Sequence, residues 1–142
     1  VHINEADHVA EIFNCTFFDN GITGMNFHYD NQPHILKNVI SFNNGSKDVE
    51  VSANSTSSNC SYGVTGDSDA LSGWTNNVST SDFVSVTPTG VQGSRTSDGD
   101  LPTITFLTLV SGSSMVDTGV NVGLSYVGTA PDRGAFEYGA DT

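Results

Sequence analysis

Positive charge is scarce. Lys37, Lys47, Arg95 and Arg133 stand against sixteen acids, a formal net charge of −12 over 142 residues. So few cations cannot neutralise a run of phosphates, which excludes nucleic acid as a partner. They offer equally little hold on an anionic membrane surface. A polyanionic sugar would also be repelled unless calcium or a local basic patch offset the field. No run of about 18 apolar residues is present, so no helix of the chain spans a bilayer. Val1 opens no basic and apolar leader, and the start reads as a cut made inside a longer chain. Cysteine is limited to Cys15 and Cys60, too few for a disulfide framework. They allow one bridge, but Cys15 lies in an apolar strand-like run and reads better as a small buried residue.

What is abundant is Asn, Ser and Gly, arranged with a period. Glu11 to Gly21 resembles Ile35 to Gly45, with Asn14 matching Asn38, Phe18 matching Phe42, Asn20 matching Asn44 and Gly21 matching Gly45, each at an offset of 24. A fixed period of roughly 20 to 30 residues without heptads marks a solenoid. The segments are β-branched, aromatic and Asn-rich, alternate with period two, and end at Asn-Gly turns, so the repeat is a strand repeat. Each unit then holds about three short strands that pair in parallel with the next unit and bury their inward residues. The fold class expected is all-β, a right-handed parallel β-helix: rungs over residues 1–80, degrading after 52, and a C-terminal closing segment over 81–142.

Carried to a second strand, the offset aligns Met25 to Asp30 with Val49 onward and, backward, with Val1 to Asn4. Alternation points Val1, Ile3, Met25, Phe27, Val49 and Val51 inward, and His2, Asn4, Asn26, His28, Glu50 and Ser52 outward on one face. Val1 is thus mid-rung, an open edge that missing N-terminal rungs or a second chain would cover. Asn14 and Asn38 predict an internal asparagine stack, a support for the turns. Five Asn-x-Ser/Thr sequons, at Asn14, Asn44, Asn54, Asn59 and Asn77, are of the kind an Asn- and Ser-rich chain produces by chance.

After Ser52 the repeat weakens. Ser58 to Tyr62 reads as a diverged rung strand, Asp82 to Val86 as a strand, Asp98 to Pro102 as a turn and Phe106 to Leu109 as a short helical turn. The runs DFVSVTPTGV (82–91), SRTSDGDLP (94–102), FLTLVSGSSMVDTGVNVGLSYVG (106–128) and TAPDRGAFEY (129–138) resemble the closing segment of bacterial β-helix proteins, most of all pectate lyases of polysaccharide lyase family 9. The resemblance spans roughly residues 12 to 138. It is specific for this kind of β-helix end and less so for substrate.

The resemblance implies a secreted protein acting on polygalacturonate or pectin. Family members cleave by β-elimination: calcium held by an Asp cluster acidifies the proton beside the uronate carboxylate, and a lysine removes it. The calcium ligands are expected upstream of this chain, and no metal ligands are assigned within it. The lysine position falls on His2, where Asn4-Glu5 replaces the family's Gly-Gly. Imidazole can act as a base, though a histidine at such a place also reads as an ordinary exposed residue. Asn26 and His28, one rung further along the same face, are the candidate sugar contacts. Asp48 and Glu50 read as solvated carboxylates, Tyr62 and Trp74 as partly buried aromatics, and Asp117, Asp132, Arg133 and Glu137 as turn supports with one ion pair. Three functions stay open: part of a lyase, with this segment lacking the full active site; a β-helix that binds acidic plant polysaccharide without turnover; and a structural module that stacks end to end.

Overall fold

The computed structural model describes residues 9–27, 31–63, 72–100 and 102–140. Val1, His2, Ile3, Asn4, His28 and the acidic pair Asp67 and Asp69 lie outside the described residues.

Short strands alternate with sharp corners. The first rung holds β1 (Glu11–Phe13), β2 (Thr16–Phe18) and β3 (Thr23–Asn26), and the second β4 (Ile35–Lys37), β5 (Ile40–Phe42) and β6 (Lys47–Glu50). The third holds β7 (Thr56–Ser58) and β8 (Cys60–Gly63), and β9 (Trp74–Val78) follows. They form three sheets, ordered β1-β4-β7, β2-β5-β8-β9 and β3-β6, with every pairing between these strands parallel. This is a parallel β-helix. The 24-residue offset is the register itself: Glu11 pairs with Ile35, Phe18 with Phe42 and Met25 with Val49. The next rung is shorter, with Ile35 opposite Thr56 and Ile40 opposite Ser61. The segment expected as one diverged strand, Ser58 to Tyr62, is two strands meeting at Asn59.

The corners explain the asparagines. Asn14, Asn38 and Asn59 sit between the first two strands of successive rungs, at φ of 48°, 55° and 53°. Asparagine tolerates this left-handed region better than other residues with a Cβ, because its short amide bonds locally. Asn38 Nδ2 donates to Asn14 Oδ1 at 2.9 Å, so the expected stack is present. A second ladder supports the next corner, where Asn20 Nδ2 donates to Asn44 Oδ1 at 2.8 Å.

Two cores result. Inside the coil, Met25, Phe27, Leu36, Val39, Val49, Val51 and Cys60 are buried, with Ile12, Phe17, Tyr62 and Trp74 packed against them. Fully burying one such side chain contributes about 1.5–3 kcal/mol. The inward assignment of Met25, Phe27, Val49 and Val51 therefore holds. Ser52, expected outward, is buried beside Gln32 and Ser55. Cys15 and Cys60 are free thiols, and burial pushes the Cys60 thiol up to about 11.

The second core lies on the outer face of β2-β5-β8-β9. Ile40, Phe42 and Val78 are covered there by Phe83, Leu107, Leu109 and Met115, with Phe18 and Phe136 at the edge. Phe42 and Phe83 stack at 4.8 Å and 7°. The closing segment thus covers a sheet sideways, and this sheet sends apolar side chains into both cores. Asp82 anchors the segment's start, accepting from Ser79 N–H at 2.9 Å and from Ser113 Oγ at 2.9 Å. Phe106 to Leu109 is not a helical turn. Phe106 bridges Ser85, Leu109 bridges Phe83, and Leu107 sits at φ 58° between them. Leu107 and Leu109 are both buried in the cluster with Phe83, and periodicity cannot separate the possible local states in so short an apolar run.

Candidate functional site

The outer face of β3-β6 is the face on which the sequence places its candidate residues. Parallel pairing sets Asn26 directly beside Glu50 and Thr23 beside Lys47. Met25, Phe27, Val49 and Val51 are drawn into the core, which turns Asn26 and Glu50 outward. Asn26 Nδ2 donates to Glu50 Oε2 at 2.6 Å. Lys47 Nζ donates to Glu50 Oε1 at 3.1 Å. The Lys47 and Glu50 side chains retain 24% and 14% of their exposure, so the pair is shielded but within reach of solvent. The carboxylate therefore bridges an amide and an ammonium. Sequence reasoning had Asn26 and Glu50 on this face but read Glu50 as solvated and did not join it to Lys47. Alternation along β6 sets Lys47 in step with Val49 and not with Glu50, so the spacing carried no signal for this pair.

Asp48 corrects an expectation. It is fully buried, turned into the corner between β5 and β6. Its Oδ1 accepts from Asn44 N–H at 3.1 Å and Asn44 Nδ2 at 2.9 Å, and its Oδ2 from Gly63 N–H at 3.1 Å. Burial holds its carboxyl above the usual aspartate range, and these donors pull the other way. It supports a turn and does not face a ligand. Asn44, one of the sequon asparagines, is buried in the same network.

The acids of the closing segment hold turns. Asp117 Oδ1 accepts from Thr129 and Ala130 N–H, which hold its carboxyl below the usual range. Asp132 accepts from Asp117 N–H at 2.7 Å and from Tyr138 N–H at 2.5 Å. Arg133, expected in an ion pair, reaches Ser61 Oγ at 2.9 Å and the carbonyls of Thr118 and Cys60 instead. Its role is to bind the segment to the rungs. Tyr62 and Trp74 are half-buried against the inner core, and Trp74 Nε1 donates to Ser57 Oγ at 2.8 Å.

A cleft of about 250 Å³ opens between residues 103–109 and 136–140. It lies in the closing segment, and its carboxylate, Glu137, accepts from Asp132 and Val127 N–H. Among the described residues, no three His, Cys, Asp or Glu side chains converge as a metal site. The described side chains do not fit a calcium ion of the kind the resemblance implies. No helix of the described residues is long and apolar enough to cross a membrane.

Coil, stacked asparagines and sideways closing segment together define a parallel β-helix of the pectate-lyase type. Among solved structures the chain is similar to the crystal structure of pectate lyase Pel9A, with a TM-score of 0.64 and 25% identity over 94% of this chain. The match bears out the resemblance to family 9 pectate lyases. The chain spans 37% of that protein's length. No protein-family model matches, and no curated protein matches.

Proposed function

We propose that this chain supplies rungs and the closing segment of a secreted pectate-lyase-like protein acting on polygalacturonate or pectin, with the polymer running along the outer face of β3-β6. The observation that carries the reading is the match to pectate lyase Pel9A across 94% of the chain. The 24-residue repeat of the sequence aligns His2 with Asn26 and Glu50, and that spacing supports giving His2 the family's base position.

In this reading His2 takes the proton beside the uronate carboxylate. A neutral imidazole is able to accept it. The glycosidic oxygen then leaves and an unsaturated sugar remains. Asn26 and His28 contact sugar hydroxyls. Calcium belongs to the family's chemistry, and its ligands would come from rungs beyond the described residues. Binding to an acidic polysaccharide without turnover is the second reading, favoured by His2 standing where the family has a lysine.

The test is release of unsaturated uronate from polygalacturonate with calcium, followed by ultraviolet absorbance. The full-length protein should release product, the 142-residue chain alone should not, and His2→Ala should abolish release. Retention of polymer without product in the full-length protein would favour binding alone. Product from the isolated chain would overturn the assignment of the remaining machinery to other rungs.

A further inference from the structure

Away from the β3-β6 face, the cleft between residues 103–109 and 136–140 combines aromatic rings, hydroxyls and a fixed carboxylate. Phe136, packed against the second core, lies at its base. Tyr138 lines it with 42% of its surface exposed. The backbone beneath that ring is held, because Tyr138 N–H donates to Oδ2 of the buried Asp132 at 2.5 Å. Thr105 and Thr108 add hydroxyls, and Thr108 Oγ1 is oriented by donating to Thr105 O at 3.0 Å. Glu137 Oε1 accepts from Asp132 N–H at 3.1 Å, and its Oε2 from Val127 N–H at 3.4 Å. Those two donors aim the carboxylate and fill only half of the roughly four lone-pair sites it offers.

We infer that this cleft is a binding subsite for one neutral sugar residue, with Tyr138 against the C–H face of the ring and Glu137, Thr105 and Thr108 bonding its hydroxyls. A pyranose has an apolar face and a polar rim, and an exposed aromatic beside a fixed carboxylate matches both. The size sets the number of rings. A cleft of about 250 Å³ falls short of the roughly 300–1,000 Å³ that drug-sized ligands fill, so it holds a single residue. The charge sets the kind of sugar. Hydroxyls donating to a carboxylate form short, strong bonds, whereas a uronate carboxylate beside Glu137, in a chain at −12, is repelled. The subsite is separate from the face that takes the acidic polymer, and it does not depend on the lyase reading.

The experiment titrates the full-length, isotope-labelled protein with galactose, glucose, xylose and galacturonate, and follows the backbone amides of residues 103–109 and 136–140 by NMR. Burial raises the Glu137 carboxyl above the usual glutamate range, so the titration runs at about pH 8. At least one neutral sugar should shift these amides with a Kd on the order of 1–10 mM, the affinity that a ring of about ten heavy atoms reaches. Galacturonate should bind about tenfold more weakly than galactose at low salt, and high salt should narrow the gap. Tyr138→Ala should weaken the neutral sugar about tenfold, and Tyr138→Phe, which keeps the ring, by no more than about twofold. Thr105→Val, which removes one exposed hydroxyl, should weaken it about threefold. Cleft amides unmoved by all three neutral sugars overturn the inference. So does galacturonate binding as tightly as galactose, or Tyr138→Ala and Thr105→Val both binding as wild type does with unchanged melting temperatures. None of these results bears on the release of unsaturated uronate, so the functional reading stands or falls by its own test.

Discussion

Asn38 ties the rungs to the closing segment, and replacing it is the sharpest test of how the fold closes. Its side chain is fully buried and makes three hydrogen bonds. Nδ2 donates to Asn14 Oδ1 at 2.9 Å and to Val120 O at 2.8 Å, and Oδ1 accepts from Val120 N–H at 2.7 Å. Asn38→Ala removes all three and leaves both backbone groups of Val120 without these partners. Val120 is half-buried, so each of its stranded groups costs toward the lower end of about 1–3 kcal/mol. Asn14 is only half-buried and recovers water. A φ of 55° adds about 1 kcal/mol for alanine. The expected loss is about 3–5 kcal/mol, a large share of a typical domain's 5–15 kcal/mol. Asn38→Gly loses the same bonds but not the backbone preference, and should be about 1 kcal/mol milder than alanine. Urea unfolding followed by Trp74 fluorescence measures both variants, and amide exchange at Val120 reports whether the segment has lifted. An Asn38→Ala loss under about 1 kcal/mol, with Val120 still protected, would refute the argument.

Other outcomes follow from the same geometry. Gly24→Ala places a Cβ 2.2 Å from Ser41 Oγ and 2.7 Å from Asp48 O, and should cost about 2–3 kcal/mol, whereas Gly21→Ala meets nothing within 4 Å and should be near neutral. Phe83→Ala removes the ring stacked on Phe42 and should cost about 3–5 kcal/mol, with the closing segment the first site cut by protease. Two carboxyls give opposite pH responses in chemical denaturation. Asp117, lowered in the fold, contributes stability that is present above the ordinary aspartate pKa and lost as pH falls through its folded value, so Asp117→Asn should flatten the acid limb. Asp48, raised in the fold, contributes stability below the ordinary value that is lost as pH rises through its folded value, so Asp48→Asn should remove that decline.

The coil was legible because its physics is periodic. Asn14 and Asn38 need the same left-handed corner, and Phe18 and Phe42 the same outer face, so the spacing of side chains is the spacing of rungs. The third corner at Asn59 was less visible because its rung is shorter, which shifts it out of the 24-residue offset. Asp48 was misread because alternation assigns faces along a strand, and it says nothing of a side chain turned back into a corner by Asn44 and Gly63. The closing segment was recognisable as a phrase but not as a sideways cover. Its contacts, such as Gly134 N–H to Asn38 O at 2.7 Å, join residues nearly a hundred positions apart. The candidate site was legible as a face, while the Asn26–Glu50–Lys47 chain needed coordinates.

The central claim is that an acidic polysaccharide lies along the outer face of β3-β6. Titrating the full-length, isotope-labelled protein with oligogalacturonate and calcium, and following backbone and side-chain amide resonances by NMR, tests it most directly. Asn26 should shift with saturation, while the exposed amides of Asn54, Asn77 and Asn121 stay in place. An unmoved Asn26, with shifts gathered instead in residues 103–108 and 136–140 around the cleft, would contradict it.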